Sequence, residues 1–201
     1  MEISFTSILS LLPMYSAYLV SFILLLYVLI KKEIPQIKFL KKIIVLQIIA
    51  FVVSGVGLSI MQYLKWSSGD ISKFLLPPHE SISYFISYVY THFFNYFLFT
   101  LGFAILVFYT IKLLNKKFNN KFFYEQEKYL CVIGFFANPF PLLIVFLILV
   151  FIANLGNQII SNIKSKNRIS FLNFWIPCII ISLLISQYII KTIPLLNGLI
   201  L

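Results

Sequence analysis

The sequence predicts an all-α, polytopic transmembrane helix bundle, and three observations carry that prediction. Hydrophobic residues make up 61% of the 201 and only 11% are charged, with a mean hydropathy of +0.98. Soluble domains run at about 45–50% apolar and about 25% charged, so this chain has too few charges to cover a watery surface. The apolar residues fall in runs near the length of about 20 that crosses roughly 30 Å of hydrocarbon, and the charges collect between those runs. The same composition excludes a disordered chain, whose signature is low hydrophobicity. We read residues 1–201 as a single integral membrane domain with about five membrane-spanning helices, the third over-long and the fourth interrupted at Asn138–Pro141.

The first span covers about Ile8 to Ile30. No Lys or Arg precedes it, and Lys31 and Lys32 follow it. A secretory leader has the opposite order, with its positive charge ahead of the apolar run. The expectation is a helix that stays in the membrane with its N-terminus outside. A basic loop over 31–42 comes next, with Lys31, Lys32, Glu33, Lys38, Lys41 and Lys42 around Pro35.

The second span covers about Ile43 to Leu64. Gln47, Ala50, Ser54 and Gly57 recur at spacings of 3, 4 and 3, and Gly55, Ser59 and Gln62 form a neighbouring row. Small residues on one face let helix backbones approach closely. Gln47 differs from the rest of its row, because a buried carboxamide requires hydrogen-bond partners. Lys65 to Glu80 is a mixed loop holding Asp70, Lys73, His79, Pro77 and Pro78.

The third span, Ser81 to Leu114, is about 51 Å long as a helix, far more than a bilayer needs. Ser81, Tyr84, Tyr88, Thr91 and Asn95 share one face at spacings of 3, 4, 3 and 4, with His92 beside it. Two readings stand. In one, the first turns lie along the outer interface, with their tyrosines in an aromatic belt. In the other, the stripe lines a polar cavity built from Tyr88, Thr91, His92 and Asn95, with Gln47 from the second span. His92 reads either as a proton acceptor or as a neutral ring hydrogen-bonded to Tyr88 or Asn95.

The third loop, 112–128, holds Lys112, Lys116, Lys117, Lys121, Glu125, Glu127 and Lys128. The fourth apolar segment, Tyr129 to Ala153, is broken in its middle by Asn138, Pro139 and Pro141, since proline removes a helical hydrogen bond and clashes with the preceding turn. It reads as a single interrupted crossing or as a re-entrant half that turns back at Asn138. In both cases Asn138–Pro141 belongs against other helices, because broken backbone at membrane depth requires cover. Lys164, Lys166 and Arg168 follow in loop 154–170. The last span, Phe171 to Ile193, carries Cys178, Ser182 and Ser186 at steps of four, a kink expected at Pro177, and Trp175 expected at the membrane interface.

Counting only Lys and Arg, loops 31–42 and 112–128 are the richest, with five each, and are expected in the cytoplasm. Loop 65–80 has two and is expected outside. Loop 154–170 has three, so its side stays open between the two topologies.

The net charge of +10 comes from clusters at helix ends, so nucleic acid is not an expected partner. Cys131 and Cys178 lie in apolar runs without metal-ligand spacing and read as packing thiols. Asp70, His79, Glu80 and His92 match no ligand motif, and no cofactor or metal is expected. No pair of carboxylates lies in an apolar run and Asp70 is the only Asp, so an intramembrane aspartyl pair is excluded, and no nucleophile, nucleotide or metalloprotease motif occurs. The functional expectation is a non-enzymatic membrane subunit or permease-like component of a larger assembly. Its partners would be membrane lipids and either other membrane subunits or further copies of itself. The alternative is a membrane-embedded enzyme acting on a lipid or lipid-linked substrate at the outer face, served by Tyr88, His92, Asn95, Asp70 and Glu80.

Overall fold

The computed structural model describes residues 5–31, 33, 35–118, 123–138, 140–163 and 172–192. It is 87% helix, and no strand occurs among the described residues. Lys32, Lys121, Pro139, Lys164, Lys166 and Arg168 lie outside them.

Helix α1 (Phe5–Lys31) and helix α2 (Ile37–Ser68) form an antiparallel hairpin. Tyr27 stacks on Phe39 at 5.1 Å near the turn, and Ser54 Oγ donates to the Leu9 carbonyl at 2.6 Å at the far end. The small residues of α2 serve its packing on α1 and on the π segment around Phe94. A Cβ on Gly57 would meet Leu9 at 3.0 Å, and one on Gly55 would lie 2.8 Å from the Phe94 ring. Helix α2 starts earlier than the sequence suggests, so Lys38, Lys41 and Lys42 ride its first two turns instead of a loop. Lysine is a good helix former, and Pro35 just ahead fixes where the helix begins.

A 3-10 turn at Ser72–Leu75 leads to helix α3 (Ile82–Val89), a π-helical segment (Tyr90–Phe94) and helix α4 (Asn95–Lys117). Together they make one unbroken helix of 36 residues, Ile82–Lys117. The over-long third element is therefore present, and it is continuous. It runs antiparallel to α2: Trp66 meets Tyr88 at 4.8 Å, and Phe51 stacks on Phe97 at 5.0 Å further down.

Helix α5 (Glu127–Ala137) is the core of the molecule. Apolar nearly all round, it is buried all round: every residue from Leu130 through Ala137 is buried. It packs against α1, α2, α4, α6 and α7. Its direction matches that of α2, since Lys41 lies over Tyr129 while Phe51 meets Phe136.

The interruption falls where two prolines and an Asn place it. Helix α6 (Leu143–Ile163) begins beyond it. Uninterrupted helix would hold Gly134 and Phe146 about 18 Å apart. Instead the Phe146 ring occupies the space that a Gly134 side chain would need and sits 5.7 Å from Phe135. The chain is thus folded over at the break, not merely kinked.

Helix α7 (Leu172–Thr192) runs in the same sense as α5. Trp175 lies 6.2 Å from Phe146, at the height of Gly134 and Phe135. Further along both helices, Ser182 and Ser186 reach Asn138. Trp175 is 3% exposed, so it is a core residue and not the interfacial anchor expected from its position. The reason is the fold-over, which brings the Phe146 ring onto it.

Three helices, Leu11–Lys31, Ile37–Ser68 and Ile82–Lys117, are long and apolar enough to cross a membrane, and Leu143–Ile159 and Phe174–Ser186 are shorter apolar helices. Large apolar side chains are also abundant on the outside, among them Leu19, Phe22, Ile49, Val56, Phe151 and Leu184. An exterior of this kind suits lipid and not water.

Candidate functional site

The five residues singled out from the sequence fall into two places. Tyr88, Thr91, His92 and Asn95 sit together on and around the π segment. Gln47 lies on α2, about 28 Å along that helix from Trp66, which is the α2 residue touching Tyr88.

The cluster on the π segment is local in origin. The Asn95 amide bonds the Tyr90 carbonyl, one residue further back than in an α-helix, so the helix widens by one residue there. Such insertions often mark functional places. Gly55 on α2 leaves the room that the Phe94 ring fills at this level. His92 Nδ1 lies 2.9 Å from the Tyr88 carbonyl, and since a carbonyl only accepts, Nδ1 is the donor there. It is also 3.0 Å from Thr91 Oγ1. The imidazole stacks on the Tyr88 ring at 4.0 Å, and Tyr88 rests on Trp66 at 4.8 Å. Thr91 returns its hydroxyl proton to the Ser87 and Tyr88 carbonyls, at 2.9 and 3.0 Å. Thr91, His92 and Asn95 are all exposed and Tyr88 is half-buried. The cluster therefore opens to the outside of the bundle. Its chemistry is that of an imidazole and a carboxamide on an aromatic platform.

Gln47 is 1% exposed, and neither its carboxamide oxygen nor its nitrogen has a hydrogen-bond partner among the described residues.

A third polar group, at the fold-over, was only partly legible. Asn138 is fully buried. Its Nδ2 donates to Ser182 Oγ at 2.8 Å and to the Gly134 carbonyl at 3.2 Å. Ser186 Oγ donates to its Oδ1 at 3.0 Å. Ser182 in turn donates to the Ile179 carbonyl. On the other side, the Phe140 amide donates to Thr100 Oγ1 at 3.0 Å, and that hydroxyl donates to the Tyr96 carbonyl. The interrupted helix thus receives side-chain partners from both α4 and α7, which is the requirement for irregular backbone inside an apolar bundle. Asn138, Ser182 and Ser186 stand out in the sequence separately. Nothing in the pattern singles out Thr100.

At the opposite end of α5 a charged side chain is buried. Lys128, with 8% of its side chain exposed, pairs with Glu125 at 2.6 Å and lies over the Phe108 and Tyr129 rings. Glu127 Oε2 accepts from the Tyr124 amide, and Asn115 Oδ1 accepts from the Phe123 amide. Residues 123–126 are therefore tied down where α5 begins, and Lys112, Lys116 and Lys117, expected in a loop, ride the last turns of α4 instead. Among the described residues, no three His, Cys, Asp or Glu side chains are gathered to share a metal ion. Cys131 and Cys178 are both buried and unpaired.

The chain matches no protein-family model, no curated protein and no solved structure. What the fold defines is a class: an all-helical bundle whose apolar helices are compatible with a membrane protein.

Proposed function

We propose that this chain is a small polytopic integral membrane protein that acts as a non-enzymatic subunit or permease-like component of a larger membrane assembly. The observation that carries the reading is how its polar side chains are used. Asn138, Ser182, Ser186 and Thr100 are engaged in holding the broken helix, which leaves them no role toward a substrate. Copurification from mild detergent tests it. The expected result is an assembly larger than one chain, and a monodisperse monomer with catalytic turnover overturns it.

The proposed topology has the N-terminus outside and loops 31–42 and 112–128 in the cytoplasm. The shared direction of α5 and α7 supports the re-entrant form of the fourth segment. Only residues 164–171 join α6 to α7, and a chain reaches at most about 3.3–3.6 Å per residue. That connection suits an α6 that returns toward the side from which α5 entered. In this form α1, α2, the Ile82–Lys117 helix and α7 cross fully, and α5 with α6 makes up the fifth, re-entrant element.

The second reading is an enzyme acting on a lipid or lipid-linked substrate at the outer face. The open cluster of Tyr88, Thr91, His92 and Asn95 favours it. His92→Ala decides this point. Loss of function with the bundle intact favours the enzyme, and unchanged function removes it.

A further inference from the structure

We infer that the exposed face of α4 is a self-association seam, on which Asn95 pairs with Asn95 of a second copy of this chain. The inference rests on the membrane reading above and names the partner that the reading leaves open. Starting at the π segment, Thr91, Asn95, Leu98, Gly102, Ile105 and Tyr109 are all exposed. Their spacings are 4, 3, 4, 3 and 4, the heptad period of a left-handed helix pair. Gly102 has open space on every side of where a Cβ would stand, so a second helix backbone can come close there.

The contrast with α1, α2 and α7 favours this face. Through the middle turns of α1, α2 and α7 the exposed residues are apolar, for example Phe22, Val56 and Leu184, and lipid suffices to cover them. On α4 it does not. Thr91 bonds its own helix, whereas the Asn95 carboxamide is exposed and makes no hydrogen bond to any described residue. Lys112 is the first charge toward the C-terminal end of this helix. The 20 residues before it span about 30 Å, the thickness of the hydrocarbon, and reach back to His92. On that placement Asn95 lies about 5 Å inside the edge of the apolar layer, where acyl chains do not satisfy an amide.

The occupant follows from the chemistry of that amide. A carboxamide donates and accepts at once, so it is its own best partner. Every copy enters the membrane in the same orientation. A two-fold axis along the membrane normal then sets Asn95 against Asn95 at equal height, with Gly102 facing Gly102 two turns away, an isologous contact in which one patch serves both subunits.

The test uses the purified full-length chain in vesicles of phosphatidylcholine and phosphatidylglycerol. Leu98→Cys and Ile105→Cys are oxidised beside Val53→Cys, an exposed position on α2. The expected result is a covalent dimer at both seam positions and none at Val53. In the same vesicles, energy transfer between labelled copies should show Asn95→Leu weakening association by roughly three- to fifteen-fold, the range measured for polar contacts between membrane helices. Asn95→Gln should retain most of it, with helix content checked by circular dichroism. Absence of seam cross-linking, or equal cross-linking at Val53, overturns the seam. Because only this chain is present, that failure leaves the assembly reading standing, and copurification with other subunits tests it separately.

Discussion

Ser186 donates its hydroxyl proton to the Asn138 carboxamide at 3.0 Å across 48 residues of sequence. With Ser182 on the amide nitrogen, this bond joins the end of a buried helix to the middle of the last one. It explains how the chain stops a helix at the centre of an apolar bundle. The carboxamide that ends α5 is also the group to which α7 is fastened.

Replacing Asn138 by Leu should therefore destabilise the bundle by about 1–3 kcal/mol, the cost of leaving buried polar groups unpaired. Ser186→Ala should cost less, about 0.6 kcal/mol, typical for one hydrogen bond between membrane helices. The double variant should cost less than the sum, because both remove the same bond. Thermal unfolding in detergent measures all three, and strict additivity would show that the contact contributes nothing.

Gly134 admits the Phe146 ring at the fold-over. Gly134→Ala places a methyl group inside that ring's volume. A loss of about 1–3 kcal/mol is expected, as for overpacking elsewhere, even though alanine is the better helix former. Phe146→Leu should recover part of the loss. A gain in stability from Gly134→Ala alone would mean that helix propensity outweighs the contact.

Gln47 buries a carboxamide with no partner. Gln47→Leu keeps much of the volume and removes the desolvated amide, so the bundle should become more stable by about 1–3 kcal/mol. The midpoint of unfolding in a denaturing detergent series reads this out. Destabilisation would show that the amide is hydrogen-bonded in the working protein.

For the topology, Ser165→Cys in intact vesicles or cells should be labelled from the same side as Lys116→Cys, and Asn197→Cys from the other. The shared direction of α5 and α7 underlies this expectation. Labelling of Ser165→Cys from the side opposite Lys116→Cys would replace the re-entrant element by a plain fifth crossing.

The sequence by itself determined the helices, their apolar character and the place of the break. Run length, helical period and proline chemistry are local properties, readable without knowing what lies alongside. It marked the small face of α2 and the polar face of the third span for the same reason. It also fixed Asn138–Pro141 as a stretch needing cover. Only the tertiary structure decided which groups provide that cover. Thr100 looks like any Thr in an apolar run until the Phe140 amide arrives beside it, and Ser182 and Ser186 are only a row at steps of four until Asn138 meets them. Trp175 moves from an expected interface to the core for the same cause. A side chain's partner across a bundle depends on how helices stack and where the chain reverses, and no periodicity within one helix encodes that.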